Sequence, residues 1–81
     1  MMPEKKIRNY ILENYLFTDD QSALDNGDSF LNKGILDSTG ILEVIYFLEE
    51  DFGVKIEDEE MIPENLDSVN NIVAFLKRKT T

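Results

Sequence analysis

The sequence predicts an all-α fold: a small four-helix bundle, three main helices plus one short helix, with a long loop between the first and second helices. Three observations predict it. Apolar residues recur at helical spacing in separate stretches, and no stretch alternates as a half-buried strand does. The one long segment without a helical period, residues 17–36, is rich in turn residues. At 81 residues the chain has the length of one domain with a modest core, and residues 1–81 are read as a single unit.

Each element has its own signals. Pro3 suits the first turn of a helix and Glu4 complements its dipole, while Ile7, Ile11 and Tyr15 recur at i, i+4 and i+8 with Tyr10 alongside. Residues 3–16 are therefore expected to form the first helix. In the loop that follows, Asp19-Asp20, Asp25-Asn26-Gly27-Asp28 and Gly34 break regular structure. Phe17, Leu24, Phe30 and Ile35 are expected to pin this loop to the core as a crossover between helices. Asp37 or Ser38 caps the second helix, which runs to about Asp51 with Gly53 as its stop. Ile41, Ile45, Leu48 and Phe52 fall in one fan and form its core face. A short helical turn is expected from Asp58 to Met61, ended by Pro63. Ser68 or Asp67 caps the last helix, where Val69, Ile72, Val73 and Leu76 form a stripe. Lys77, Arg78 and Lys79 end it, where the dipole favours cations.

Composition closes off several classes of function. Seventeen acids against eight bases give a net charge of −9, which disfavours nucleic acid and anionic membrane surfaces as partners. With no Cys there is no disulfide, thiolate nucleophile or thiolate zinc site. With no His, a serine has no imidazole base, so a hydrolase built on Ser38 is not expected. The glycines align poorly with a calcium-binding loop, and no Walker-type phosphate loop is present. No apolar run is long enough for a signal peptide or a membrane span, so a cytoplasmic monomer without membrane insertion is expected. The charge is also unevenly placed: between Asn9 and Leu76 sixteen acids face two bases, which leaves −14 on that stretch. Such a surface serves solubility or docks basic partners, and charge alone does not choose between them.

The informative residues surround Ser38. Asp37 and Ser38 stand where the long loop meets the second helix, and Leu42 and Tyr46 continue the Ser38 stripe at i+4 and i+8, away from the core fan. Glu49 joins them. An apolar pair beside acids and a serine suits a partner-binding surface.

Here the sequence resembles the acyl carrier proteins over nearly its whole length. Asp37-Ser38 looks like the family's attachment site, and the run from Leu42 to Ile56 is similar to its acidic second helix and following loop. Asp58-Glu59-Glu60 and the Ser68-Val69 helix start also fit. The resemblance implies a carrier that is not an enzyme. A phosphopantetheinyl transferase would attach 4′-phosphopantetheine from coenzyme A to Ser38, with Asp37 its neighbour in recognition, and the arm's thiol would hold acyl or aminoacyl groups as thioesters. The missing Cys fits, because the thiol arrives with the prosthetic group. The resemblance further implies that Glu43, Glu49 and Glu50 meet basic partner residues and that Leu42 and Tyr46 supply the apolar contact. It also implies that Val44, Leu48, Ile56, Met61, Ile62, Leu66 and Ile72 line the space for an acyl chain. Fatty-acid carriers usually place an apolar residue and an acid after the serine, whereas this chain has Thr39 and Gly40. A Ser-x-Gly arrangement is similar to D-alanine carriers and specialised carriers. The implied partners are therefore an adenylate-forming ligase, an acyltransferase or a condensing enzyme with a basic docking patch. The rival reading is an acidic helical interaction module without a prosthetic group, which accounts for the charge and Leu42/Tyr46 but not for the loop or for Ser38.

Overall fold

The apolar stripes become the buried faces of four helices. The computed structural model describes residues 3–80. Helix α1 spans Pro3–Ile11 and ends in a wider π turn over Leu12–Leu16. Helix α2 spans Ser38–Phe52, the short α3 Pro63–Leu66, and α4 Val69–Thr80. Two 3₁₀ turns, Gln21–Ala23 and Asp58–Glu60, interrupt the connections, and no strand occurs among the described residues. This is the expected all-α bundle of three main helices and one short helix.

A helical turn forms at Asp58–Glu60 as expected, and a short α-helix that was not expected follows it. Asp58–Glu60 is only a 3₁₀ turn, in which Glu60 Oε1 accepts from the Glu57 amide at 2.9 Å. Pro63 does not end a helix but begins α3, because a proline lacks only an amide that the first helical position leaves unpaired anyway. Lys79 on α4 reaches the same Glu60 Oε1 at 2.8 Å and ties this turn to the last helix. That cation first, and the Glu57 amide second, hold the Glu60 carboxyl below its ordinary pKa.

The core draws on every helix: Ile7, Ile11 and Leu12; Val44, Ile45 and Leu48; Leu66; and Val69, Ile72, Phe75 and Leu76 are all buried. On α2 the buried face centres on Val44 and Leu48, while Ile41 and Phe52 are half-buried at its edges. Phe52 lies at the end of α2, where Lys6 sits 5.5 Å from its ring and pairs with Asp51 at 3.4 Å. On α4 Phe75 takes an inward place and Val73 is half-buried. Helix α1 meets α2 through aromatic rings: Tyr10 stacks on Phe47 at 4.1 Å, and Phe47 meets Phe52 edge-on at 6.0 Å. Gly53, at φ 66°, takes the left-handed conformation that closes α2, its amide donating to the Glu49 carbonyl.

The long loop is ordered by specific ties. Leu24 and Phe30 are buried as expected, Leu36 joins them, and Ile35 packs against the core. Phe17 does not: it is 82% exposed. It caps the π turn at φ 54°, a conformation that swings its side chain outward while Leu12 and Leu16 take the inward places. The Arg8 guanidinium clamps the loop from α1, donating to Gln21 Oε1 (3.1 Å), the Gln21 carbonyl (2.6 Å) and Asn26 Oδ1 (2.6 Å). At the far end Asp67 fastens the loop to the start of α4. Its carboxylate accepts from the Ser29 hydroxyl and, at 2.9 Å, from the Leu31 amide, while its carbonyl accepts from the Phe30 amide at 2.8 Å. Asp67 is therefore not the cap of α4. Ser68 is, with Oγ accepting from the Asn71 amide at 3.0 Å.

Candidate functional site

Ser38 is the first residue of α2, and its side chain is exposed. The cap position belongs to Asp37, whose Oδ1 accepts from the Gly40 amide at 2.8 Å and whose carbonyl accepts from the Ile41 amide at 3.0 Å. The amides of the first turn have no carbonyl one turn behind them, so α2 presents donors and the positive end of its dipole beside the Ser38 hydroxyl. Gly40 is buried because the turn lies close over Leu36: a β-carbon there would stand 3.1 Å from Leu36 Cδ2 and 3.4 Å from Leu36 Cβ. The small residue after Thr39 thus has a packing cause in this chain.

Two hollows meet at Ser38. One, of about 330 Å³, opens between α2 and the α3 segment and is lined by Ile41, Leu42 and Ile45 on one side and Met61, Ile62, Pro63 and Leu66 on the other, with Leu31 and Asp67 at its rim. It is almost wholly apolar, and its one carboxylate, Asp67, already holds Ser29 and Leu31. The second hollow, between the loop and the end of α1, is lined by Tyr15, Leu31, Ile35, Leu36 and Asp37. Leu31 is the wall they share.

Of the residues expected around an acyl chain, Met61, Ile62 and Leu66 line the apolar hollow. Val44, Leu48, Ile56 and Ile72 do not: they pack inside the closed core away from it. Helical spacing marks an apolar face but not which of its residues border a gap, and the gap lies along the edge of the α2 face. Leu31, Ile41, Ile45 and Pro63 line it and were not expected there. For Leu31, in a turn-rich loop, no sequence signal marks the role. For Ile45 the signal was its place at the edge of the core fan nearest Ser38, and for Ile41 its place one turn after Ser38.

The surface residues also separate. Leu42 and Tyr46 are 53% and 69% exposed. They serve different hollows, however: Leu42 borders the apolar one, and Tyr46 a notch against α1. Glu50 is exposed. Glu49 is half-buried and its Oε2 accepts from the Ile56 amide at 3.1 Å, so it braces the segment after α2. Glu43 accepts a hydrogen bond from the Tyr15 hydroxyl, which joins α1 to α2. Burial first, and this bond second, push the Tyr15 phenol above its ordinary pKa.

The sign of the Tyr15 shift sets a pH dependence. The unfolded phenol ionises near pH ~10, whereas the folded one stays protonated beyond that point. Stability is therefore unaffected by this group below its unfolded pKa and falls as pH rises above it. In alkaline titration followed by phenolate absorbance and circular dichroism, the signal that Tyr15→Phe removes is expected to coincide with unfolding. Ionisation of Tyr15 near its ordinary pKa in a still-folded protein would contradict this.

No group of three or more candidate metal ligands occurs among the described residues, and no helix among them is long and apolar enough to cross a membrane. No protein-family profile matches the chain. Individual relatives do. The chain is 32% identical over 72 residues to an acyl carrier protein of Lactobacillus acidophilus, covering 89% of this chain and 85% of the relative. It is 30% identical over 77 residues to the probable acyl carrier protein PigG of a Serratia species, covering 95% and 87%. It is 39% identical over 62 residues to a D-alanyl carrier protein of Streptococcus uberis, covering 76% and 77%. In three dimensions it is similar to the solution structure of a holo acyl carrier protein from Nitrosomonas europaea, with a TM-score of 0.78, 22% identity, and 99% and 98% of the two chains covered.

Proposed function

The chain belongs to the acyl carrier proteins, and from that membership we propose that Ser38 carries a 4′-phosphopantetheine arm donated by coenzyme A. The chain is a carrier and not an enzyme. One observation carries the assignment to Ser38: its exposed hydroxyl opens α2 at the meeting of two hollows, while Asp37 does the capping. The hydroxyl has no structural task and is open to an approaching enzyme.

The residues present fit the group. A phosphodiester on Ser38 Oγ lies beside the free amides and positive dipole of a 15-residue helix, which favour an anion. The arm supplies a thiol, which holds acyl groups as thioesters. The apolar hollow offers an aliphatic cargo a seat away from water, with Met61, Ile62 and Leu66 facing Ile41 and Ile45. Leu42 at its mouth and the exposed Glu50 on the same helix meet partners, and the basic surface that docks this acidic chain comes from the partner.

The whole of residues 1–81 serves as one carrier domain, acting as a monomer in the cytoplasm. Its partners are a phosphopantetheinyl transferase and an adenylate-forming ligase, with an acyltransferase or condensing enzyme downstream. The likeness to a D-alanyl carrier supports a specialised carrier loaded by such a ligase.

Incubation of the unmodified protein with coenzyme A, magnesium and a broad-specificity phosphopantetheinyl transferase is expected to add one phosphopantetheine, located by peptide mass spectrometry on Ser38. An unchanged mass with several such transferases would favour an acidic interaction module that carries no prosthetic group.

A further inference from the structure

A third hollow lies on the opposite flank of α2 from the apolar one. It is a notch of about 340 Å³ lined by Tyr10, Asn14 and Tyr15 from α1 and by Glu43 and Tyr46 from α2. Three phenol rings and an amide surround a single carboxylate. We propose that this notch is a socket for an arginine side chain of a docking partner.

The walls suit a guanidinium. Tyr10 is fixed from behind by its stack on Phe47 at 4.1 Å and from the side by the edge of Tyr15 at 5.9 Å, so the aromatic surface is preformed. Tyr46, 69% exposed, stands open to receive a flat cation. Aromatic faces attract cations, and arginine stacks on them better than lysine because its charge is planar and weakly hydrated.

The polar groups suit it too. Tyr15 engages Glu43 Oε1, which steadies the carboxylate and leaves Oε2 as an acceptor. Asn14 donates through Nδ2 to the Tyr10 carbonyl at 2.9 Å, so its Oδ1 is a second acceptor. A guanidinium brings five donors in a fixed fork to such a pair, whereas an ammonium brings three on a compact, strongly hydrated charge. A net charge of −9 draws basic partners to this chain. Along α2 the notch lies about 7 to 12 Å from Ser38, counting the rise per residue from Ser38 to Glu43 and to Tyr46. A partner that receives Ser38 would thus grip the α1 flank with an arginine while the apolar hollow on the other flank stays free.

This site does not require Ser38 to be modified, so it is tested on the unmodified protein. The ¹⁵N-labelled chain is titrated at low salt with the blocked tripeptide acetyl-Gly-Arg-Gly-amide and with its lysine counterpart. Saturable shifts are expected at Asn14, Tyr15, Glu43 and Tyr46, with the lysine peptide at least about threefold weaker. Tyr46→Ala and Glu43→Gln should each weaken the arginine peptide about threefold or more. Glu64→Gln, an equal loss of charge at an exposed position on α3 outside the notch, should change it little. Tyr46 is exposed and glutamine at position 43 still accepts from Tyr15, so both variants keep the fold, which circular dichroism checks. Equal binding of the two peptides, no effect of Tyr46→Ala, or an equal loss in Glu64→Gln would each overturn the proposal.

Discussion

Ser38→Ala is expected to abolish the phosphopantetheine adduct completely while leaving stability within about 0.5 kcal/mol of the parent. Asp37→Ala is expected instead to keep the hydroxyl while lowering stability by about 1 kcal/mol. The contrast follows from the division of labour at the start of α2. Asp37 satisfies the Gly40 amide at 2.8 Å, and losing it strands a donor in the first turn. Ser38 is exposed, and alanine is no worse a helix former in its place. In a domain of this size a loss of about 1 kcal/mol moves the melting temperature by roughly 4–8 °C, so thermal denaturation separates the two variants. If Ser38→Ala melted as low as Asp37→Ala, the serine would be part of the cap and the case for an unencumbered hydroxyl would fail.

Phe30→Ala is expected to cost about 3–5 kcal/mol, the range for deleting a buried phenylalanine and leaving its cavity. Small domains have only roughly 0.05–0.15 kcal/mol of stability per residue, so this variant should lose a large part of the total. Phe30 is fully buried, and its backbone is tied as firmly as its ring. The amide donates to the Asp67 carbonyl at 2.8 Å, and the carbonyl accepts from the amides of Ile35 and Leu36 at 2.9 and 3.3 Å. The residue thus links the loop to both the start of α4 and the approach to α2. Denaturant unfolding measures the loss. Hydrogen exchange should show the amides of Leu31, Ile35 and Leu36 losing protection first, since they lean on this anchor. A loss below about 1 kcal/mol would mean that the loop does not depend on Phe30.

The helices were legible because each announces itself within a few residues. Ile7 and Ile11, Ile45 and Leu48, and Ile72 and Leu76 mark their buried faces by spacing alone, and Asp37, Gly53 and Ser68 mark ends through local hydrogen-bonding and backbone preferences. The helix at Pro63–Leu66 was missed because Pro63 serves equally as a stop after Asp58–Glu60 and as a first helical residue, and local sequence does not choose between them. Phe17 was misjudged because hydrophobicity does not reveal a left-handed backbone that turns the ring outward.

The sequence by itself determined the fold class, the acidic character of the chain between its basic ends, and the singular position of Ser38 at the head of α2. Those depend on composition and on patterns shorter than two helical turns. Only the tertiary structure decided which apolar residues border a hollow and which fill the core. It also decided that Leu42 and Tyr46, four residues apart on one stripe, open onto different hollows. The physical reason is that a hollow belongs to the space between elements. Leu31 reaches Ser38 because Asp67 holds its loop, and Tyr15 reaches Glu43 because α1 crosses α2 there, pairings 36 and 28 residues apart in the chain.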